Sequence, residues 1–341
     1  MSGKITLRDV AKAAQVAEST ASRALAGSGQ LSEDTRQRIL NAAASLGYEV
    51  SARAPTVSVT KSGRRGVIGV VVAALHNSFY PYLLDRLHNE LDDLGFDMVL
   101  IIDEITRDRA GRKLRSLLDI LDGVIVTTAM IDSPMVEFLK DREMPTVLAI
   151  RSNQKGDVHV VESDNYSAGA EAMSHLLSLG HRRIGFLMGP DTTSTTAGRL
   201  EGAKAVLKNA GVPFETDLMH HTEFTHEGGY SGCIHLLRSE TPPTAIFCAN
   251  DVIAIGALDA AQKIGLKVPE DVSIIGVDDI PMASWSMISL TTVRQPIGEI
   301  GSMAAKLISE AVRDGGDAKA KHHILPTSLV MRATTGVAKE G

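Results

Sequence analysis

Beyond residue 66 the sequence alternates, twice over, between short apolar runs and longer amphipathic stretches, and this restricts the fold more than any other feature of the 341 residues. Val67–Leu75, Met98–Ile102, Gly123–Thr127 and Thr146–Ile150 are almost continuously apolar, as strands covered on both faces must be. Between them, Tyr82–Leu94 and Arg109–Ile120 carry apolar residues at helical spacing. A second series has strand-like runs at Ile184–Met188, Ala245–Cys248 and Ser273–Val277. Its helical stretches are Ala168–Leu179, Arg199–Ala210, Gly228–Arg238 and Val252–Ile264. Parallel strands need a crossover between them, so two such series predict two parallel-sheet α/β lobes. A ligand is then expected at the carboxyl ends of the strands, in the crevice between lobes.

The first 25 residues follow a different pattern. Thr6–Leu25 reads as two short helices broken at Gln15-Val16-Ala17, with Leu7, Val10, Ala11 and Ala14, then Ala21, Ala24 and Leu25, at helical spacing. The outer face of the second segment carries Glu18, Ser19, Thr20, Ser22 and Arg23, a short polar face suited to a major groove. Pattern alone permits any small helical pair. Charge favours a DNA-binding helix-turn-helix: residues 1–65 hold ten Lys and Arg against five acids, and the remainder is net −11. A small basic head on an acidic body is expected where only the head meets phosphate.

Three motifs in order, Thr6-Leu-Arg-Asp-Val-Ala11, Thr20-x-Ser-Arg23 and Leu46-Gly-Tyr48, resemble the head of the lactose-repressor (LacI/GalR) family of bacterial transcription regulators. Leu31-Ser-Glu-Asp-Thr-Arg36 resembles the start of that family's third helix, with Ser32 as N-cap and Glu33-Asp34 in the first turn. Ala17 departs from the Ser or Thr that usually caps the recognition helix there. The resemblance implies an α/β chain: an N-terminal three-helix helix-turn-helix head on a two-lobed, periplasmic-binding-protein-like body of parallel sheets. The expected divisions are a head at 1–49, a hinge at 50–65 and a first lobe at 66–164 and 295–322. A second lobe at 165–294 and 323–334 and a tail at 335–341 complete them. The three crossings between lobes are expected near Ser163–Asn165, Thr292–Gln295 and His322–Ile324, with a helix at Pro296–Val312 and a last strand at Ile324–Arg332.

Polar residues just beyond the apolar runs are the candidates for an effector site. His76, Phe79 and Tyr80 follow the first run, and Arg151 follows Val147–Ile150. Asp164 opens the second lobe, Arg199 opens a helix after the loop 189–198, Asn250 follows Ala245–Ala249, and Asp278 follows Ile274–Val277. By resemblance, Asp164, Arg199, Asn250, Asp278 and Gln295 match positions that contact or frame the effector. Carboxylates, a guanidinium and an amide suit vicinal hydroxyls, and aromatic rings suit the apolar face of a sugar. A lone strand-end Asp is more often a cap or surface charge, and Arg151 as often an exposed cation. An inward Arg151 would admit a sugar acid beside a neutral sugar.

The reading is therefore a sequence-specific DNA-binding regulator, most simply a repressor, and not an enzyme. It would work as a homodimer on a near-palindromic operator, controlled by a small carbohydrate effector and using no cofactor. Glu18, Ser19 and Arg23 are expected at base edges. Thr20, Ser22 and Arg36 are expected on phosphate, with Thr6 beside them and Val57 as a minor-groove wedge. A carbohydrate-acting enzyme with an appended head, or a sugar-binding transport protein, are the alternatives; the head and the lack of a signal peptide disfavour the second. No apolar run spans a membrane, and a cytoplasmic protein is expected. Cys233 and Cys248 suggest neither a disulfide nor a metal, and His220, His221 and His226 lack ligand spacing. In the hinge, Val50-Ser51 replaces the family's Pro-Asn. Pro55 argues against a regular helix through 51–58 in the absence of DNA.

Overall fold

A computed structural model describes residues 6–25, 32–46, 65–73, 75, 77–102, 112–153, 155–315 and 319–339. The hinge expectation, including Val57, lies outside the described residues, as does His76. The chain divides into two units, residues 1–58 and 59–341.

The first unit holds α1 (Leu7–Ala13), α2 (Glu18–Leu25) and α3 (Glu33–Ser45). Thr6 starts α1 through a capping box: its amide and hydroxyl both donate to Asp9 Oδ2, at 2.8 and 2.7 Å. Gln15 takes the left-handed conformation (φ 54°) that turns α1 into α2. At Ala17 only the backbone serves: its carbonyl accepts from Thr20 and Ala21. Ser32 caps α3. Val10, Ala11, Ala14, Ala21, Ala24, Ile39 and Ala43 are buried together, and the alanines let the helices approach closely.

The second unit holds two six-stranded sheets. The first contains β1 (Val67–Val72), β2 (Asp97–Ile102), β3 (Gly123–Val126), β4 (Thr146–Ala149), β5 (His159–Ser163) and, from the end of the chain, β11 (His322–Leu325). Their order is β11-β5-β4-β3-β1-β2, every pairing parallel. Helices α4 (Phe79–Asp93), α5 (Arg112–Leu117) and α6 (Pro134–Lys140) connect them, and α11 (Ile297–Asp314) packs on α4 and on β3 to β5. The second sheet contains β6 (Ile184–Met188), β7 (Met219–His221), β8 (Ala245–Cys248), β9 (Ser273–Asp278), β10 (Thr291–Arg294) and β12 (Ser328–Val330), in the order β12-β10-β9-β8-β6-β7. Its helices are α7 (Asn165–Ser178), α8 (Ser194–Asn209), α9 (His226–Leu237) and α10 (Asp251–Lys263). β12 alone runs antiparallel, against β10. Each fully buried Val, Ile or Phe in these strands contributes roughly 1.5–3 kcal/mol. No described helix is long and apolar enough to cross a membrane.

Three local expectations are corrected. The third crossing lies at Pro326-Thr327, beyond His322–Ile324, because Ile324 and Leu325 pair with Glu162 and Ser163 in the first sheet. One strand over Ile324–Arg332 becomes two, since Pro326 has no N–H to continue a ladder. The loop 189–198 is half helix: Thr193 caps α8 by accepting from the Thr196 amide, so Arg199 stands in the second turn instead of opening the helix.

Candidate functional site

The strand ends of the two sheets face a cavity. From the first lobe come Asn77, Phe79, Tyr80, Ile150 and Arg151; from the second come Thr195, Arg199, Phe224, Asn250 and Asp278. Gln295, on the second crossing, completes the lining. Of the residues singled out from sequence, the cavity brings together Phe79, Tyr80, Arg151, Arg199, Asn250, Asp278 and Gln295. Asp164 is not among them. Its two carboxylate oxygens accept from the Ser167 amide and hydroxyl, at 2.9 and 2.7 Å, and so cap α7. That use is the ordinary one for an Asp ahead of a helix.

On the second-lobe side the polar groups are bound to one another. Arg199 Nε donates to Asn165 Oδ1 at 3.0 Å, Nη1 donates to the Ala249 carbonyl, and Nη2 lies 3.9 Å from Asp278 Oδ1. Asp278 also accepts from Gln295 Nε2 at 2.6 Å, and Gln295 Oε1 accepts from Ser163 Oγ at 2.7 Å. This last pair of bonds ties the end of β5 in one lobe to the end of β9 in the other. Asn165 is held in turn by Glu162, whose other oxygen meets His322 at 2.8 Å. The α7–α8 crossing that puts Arg199 beside Asn165 needs glycine. A Cβ at Gly169 would come 1.9 Å from the Arg199 carbonyl oxygen, and one at Gly202 1.9 Å from that of Tyr166.

Burial raises the Asp278 carboxyl to about 6 against the pull of Arg199 and Gln295. Behind it, Asp251 is fully buried and accepts from Thr292 Oγ1 and from the Ile280 amide at 3.0 Å. Burial, reinforced by the Asp278 charge, pushes Asp251 up to about 8. Burial lowers Arg199 from its ordinary value, opposed chiefly by Asp278 and Asp251. Asn250 spends its Oδ1 capping α10 on the Ile253 amide, which leaves its NH2 group as a donor.

The first-lobe side is mostly ring and hydrocarbon. Phe79 and Tyr80 are buried and meet edge-to-face with centroids 6.1 Å apart. Asn77 Oδ1 takes the Phe79 amide at the start of α4. Two contacts at the rim join the lobes directly: the Ile131 amide donates to the Thr192 carbonyl at 2.9 Å, and the Ser152 amide to Ser194 Oγ at 2.9 Å. Sequence reasoning missed Asn77, Ile150, Thr195 and Phe224 as lining residues. The run of Thr and Ser ahead of Arg199 was the available signal for Thr195; Phe224, alone in a polar loop, offered none.

In the head, α2 carries Glu18, Ser19, Thr20, Ser22 and Arg23 along its first two turns, and Arg36 stands half-buried in the first turn of α3. Thr6 is exposed at the α1 cap. The placement is that of paired helices with a short polar second helix, which can enter a major groove.

Residues 6–51 match the family of bacterial regulatory proteins, lacI family, and residues 173–335 match the periplasmic binding protein-like domain. The transcriptional regulator DegA of Bacillus subtilis is 33% identical, covering 97% of this chain and 98% of its own. The transcriptional regulator CelR in complex with cellobiose is similar at a TM-score of 0.74 and 28% identity, over 97% of this chain and 99% of that one. The lac repressor dimer bound to operator and the anti-inducer ONPF is similar at 0.76 and 25% identity, over 98% and 100%. A helix-turn-helix head, two parallel-sheet lobes with a polar cavity between them, and matches along nearly the whole length lead to one conclusion: the chain belongs to the lacI family of bacterial regulatory proteins and is a DNA-binding transcriptional regulator.

Proposed function

We propose that the cavity holds a small carbohydrate and that its occupancy sets the affinity of the head for a near-palindromic operator, with the chain acting as a homodimer and repressor. The observation carrying this reading is the convergence of residues from both lobes on one buried space: the rings of Phe79 and Tyr80 opposite Arg199, Asp278 and Asn250. A hydroxyl between Arg199 Nη2 and Asp278 Oδ1 can accept from the first and donate to the second, across their 3.9 Å separation. An aromatic pair opposite can cover the C–H face of the ring. A ligand touching both lobes stabilises their closed arrangement, and a change in closure can alter the spacing of paired heads. Binding is expected without turnover, which separates this reading from a carbohydrate-acting enzyme.

On DNA, Glu18, Ser19 and Arg23 would read bases, and Thr20, Ser22, Arg36 and Thr6 would position the backbone. A lysate-free binding-site selection tests the assignment. Arg23→Ala should relax preference at one guanine, with ~1–3 kcal/mol of discrimination lost. Arg36→Ala should weaken all sequences alike and lower the salt slope. An unchanged consensus from Arg23→Ala removes Arg23 from the base contacts. DegA is a transcriptional regulator, CelR is seen with cellobiose and the lac repressor with operator, which supports both halves of the proposal.

A further inference from the structure

Arg151 is the one cavity group whose charge the described residues leave unanswered. It is 8% exposed and lines the cavity. Among the described residues no carboxylate lies within ion-pair distance of it, and no acceptor takes any of its five N–H groups. Among the described residues it meets the face of Phe224, 5.4 Å from guanidinium carbon to ring centroid. That distance orients a cation and does not neutralise it. A buried, unpaired guanidinium is costly, and proteins retain such groups where something else supplies the counter-charge.

The surroundings hold Arg151 in place at some cost. Ile150, directly before it, sits at φ 75°, a left-handed conformation that a β-branched residue adopts only under constraint. Phe224 packs where Gly189 has no side chain; a Cβ there would fall 2.2 Å from the ring. Arg199 lies close enough to feel the charge of Arg151 as repulsion. Arg199 already has Asp278, Asn165 and the Ala249 carbonyl, and Asp278 already has Arg199 and Gln295. Among the described residues two cations and one carboxylate line the cavity, which leaves one positive charge over.

We infer that the effector is a sugar carrying a single carboxylate, and that Arg151 receives it. The inference rests on the carbohydrate reading of the cavity. A planar guanidinium matches a carboxylate through two parallel N–H···O bonds. A monoanion brings the cavity to neutrality. A neutral sugar leaves Arg151 unpaired, and a phosphate dianion replaces a buried positive charge with a buried negative one.

Titration calorimetry and thermal shift on the full chain at neutral pH test this, with glucose and galactose each compared with its uronate, aldonate and 6-phosphate. The largest shift is expected from a carboxylate member. Arg151→Gln should weaken that ligand roughly 10- to 100-fold, toward the level of its neutral parent, and should change the neutral parent far less. Arg151→Lys keeps the charge and loses the fork, and should still lose roughly tenfold should the Gln variant not fold. A neutral sugar or a phosphate as the tightest ligand overturns the inference while the carbohydrate reading stands, and so does unchanged acid affinity in Arg151→Gln or, where that does not fold, Arg151→Lys. No response to any member overturns the carbohydrate reading, and this inference with it.

Discussion

The two walls of the cavity are built on different principles. On the second lobe, Arg199 is held by Asn165 at 3.0 Å and Asp278 by Gln295 at 2.6 Å, the two charges lie 3.9 Å apart, and Asn250 is fixed by capping α10. On the first lobe, Phe79, Tyr80 and Ile150 present hydrocarbon, and Arg151 is bonded to nothing described. A wall whose polar groups hold each other is preorganised, and it keeps its shape whether or not a ligand is present. A wall of rings and a cation that meets no described carboxylate depends on the ligand to complete it. On the proposed function, the second lobe would set where hydroxyls go and the first which molecule is worth closing upon.

The most severe way to break this contrast is Arg199→Ala. It leaves Asp278 as a buried carboxylate without its cation and empties two further bonds. Denaturant unfolding should show a loss of about 3–5 kcal/mol, the usual cost of removing one partner from a buried pair. Effector binding should vanish. A variant that kept its stability and lost only the ligand would mean that the network serves binding alone.

A smaller and pH-dependent effect is expected at Asp251→Asn. The folded protein holds the Asp251 proton up to about 8, whereas an unfolded Asp releases it near 3.8. The stability contributed by this group is fully present below the lower value and is lost as pH rises through the upper one. Asn stays neutral, accepts from the Ile280 amide and can donate to Thr292. The variant should thus gain on the wild type steadily between about pH 4 and 8, the ordinary and raised values of this carboxyl, then level off. Melting temperatures across that range measure the gap, and a constant gap would show that Asp251 is ionised throughout.

The mildest test is at the rim. Ser194→Ala removes the side-chain acceptor for the Ser152 amide. With about 0.5–1.5 kcal/mol at stake, effector affinity should fall a few-fold and operator binding by the head alone should not change. Calorimetry resolves this, and an unchanged affinity would show that closure does not draw on that bond.

Both lobes were legible because parallel strands buried on two faces must be written in Val, Ile and Ala, as Val67–Val72 and Ala245–Cys248 are. Edge and chain-end strands are exempt from that demand. Met219–His221 and His322–Leu325 are half-exposed and carry no run to find. Strand-end polar residues were legible as a class, and their uses were not. Asp164 and Asp278 both follow apolar strands; one caps a helix and the other faces the cavity, which depends on where the next helix begins. Thr195 was hidden because a Ser and Thr stretch reads equally as loop or as the first turn of a capped helix. Phe224 reaches the cavity because Gly189, 35 residues earlier in the chain, leaves room for it, and no local pattern encodes that.

The backbone bond from the Ile131 amide to the Thr192 carbonyl, at 2.9 Å, joins the two lobes directly. A ligand that needs the lobes to part must wait for that bond to break. The observed rate of binding should then stop rising with concentration and approach a ceiling set by that opening. Departure passes through the same step. The time such a ligand stays bound would then be governed by how often the lobes part, a quantity open to change near Ile131 and Thr192 without touching a residue that lines the cavity.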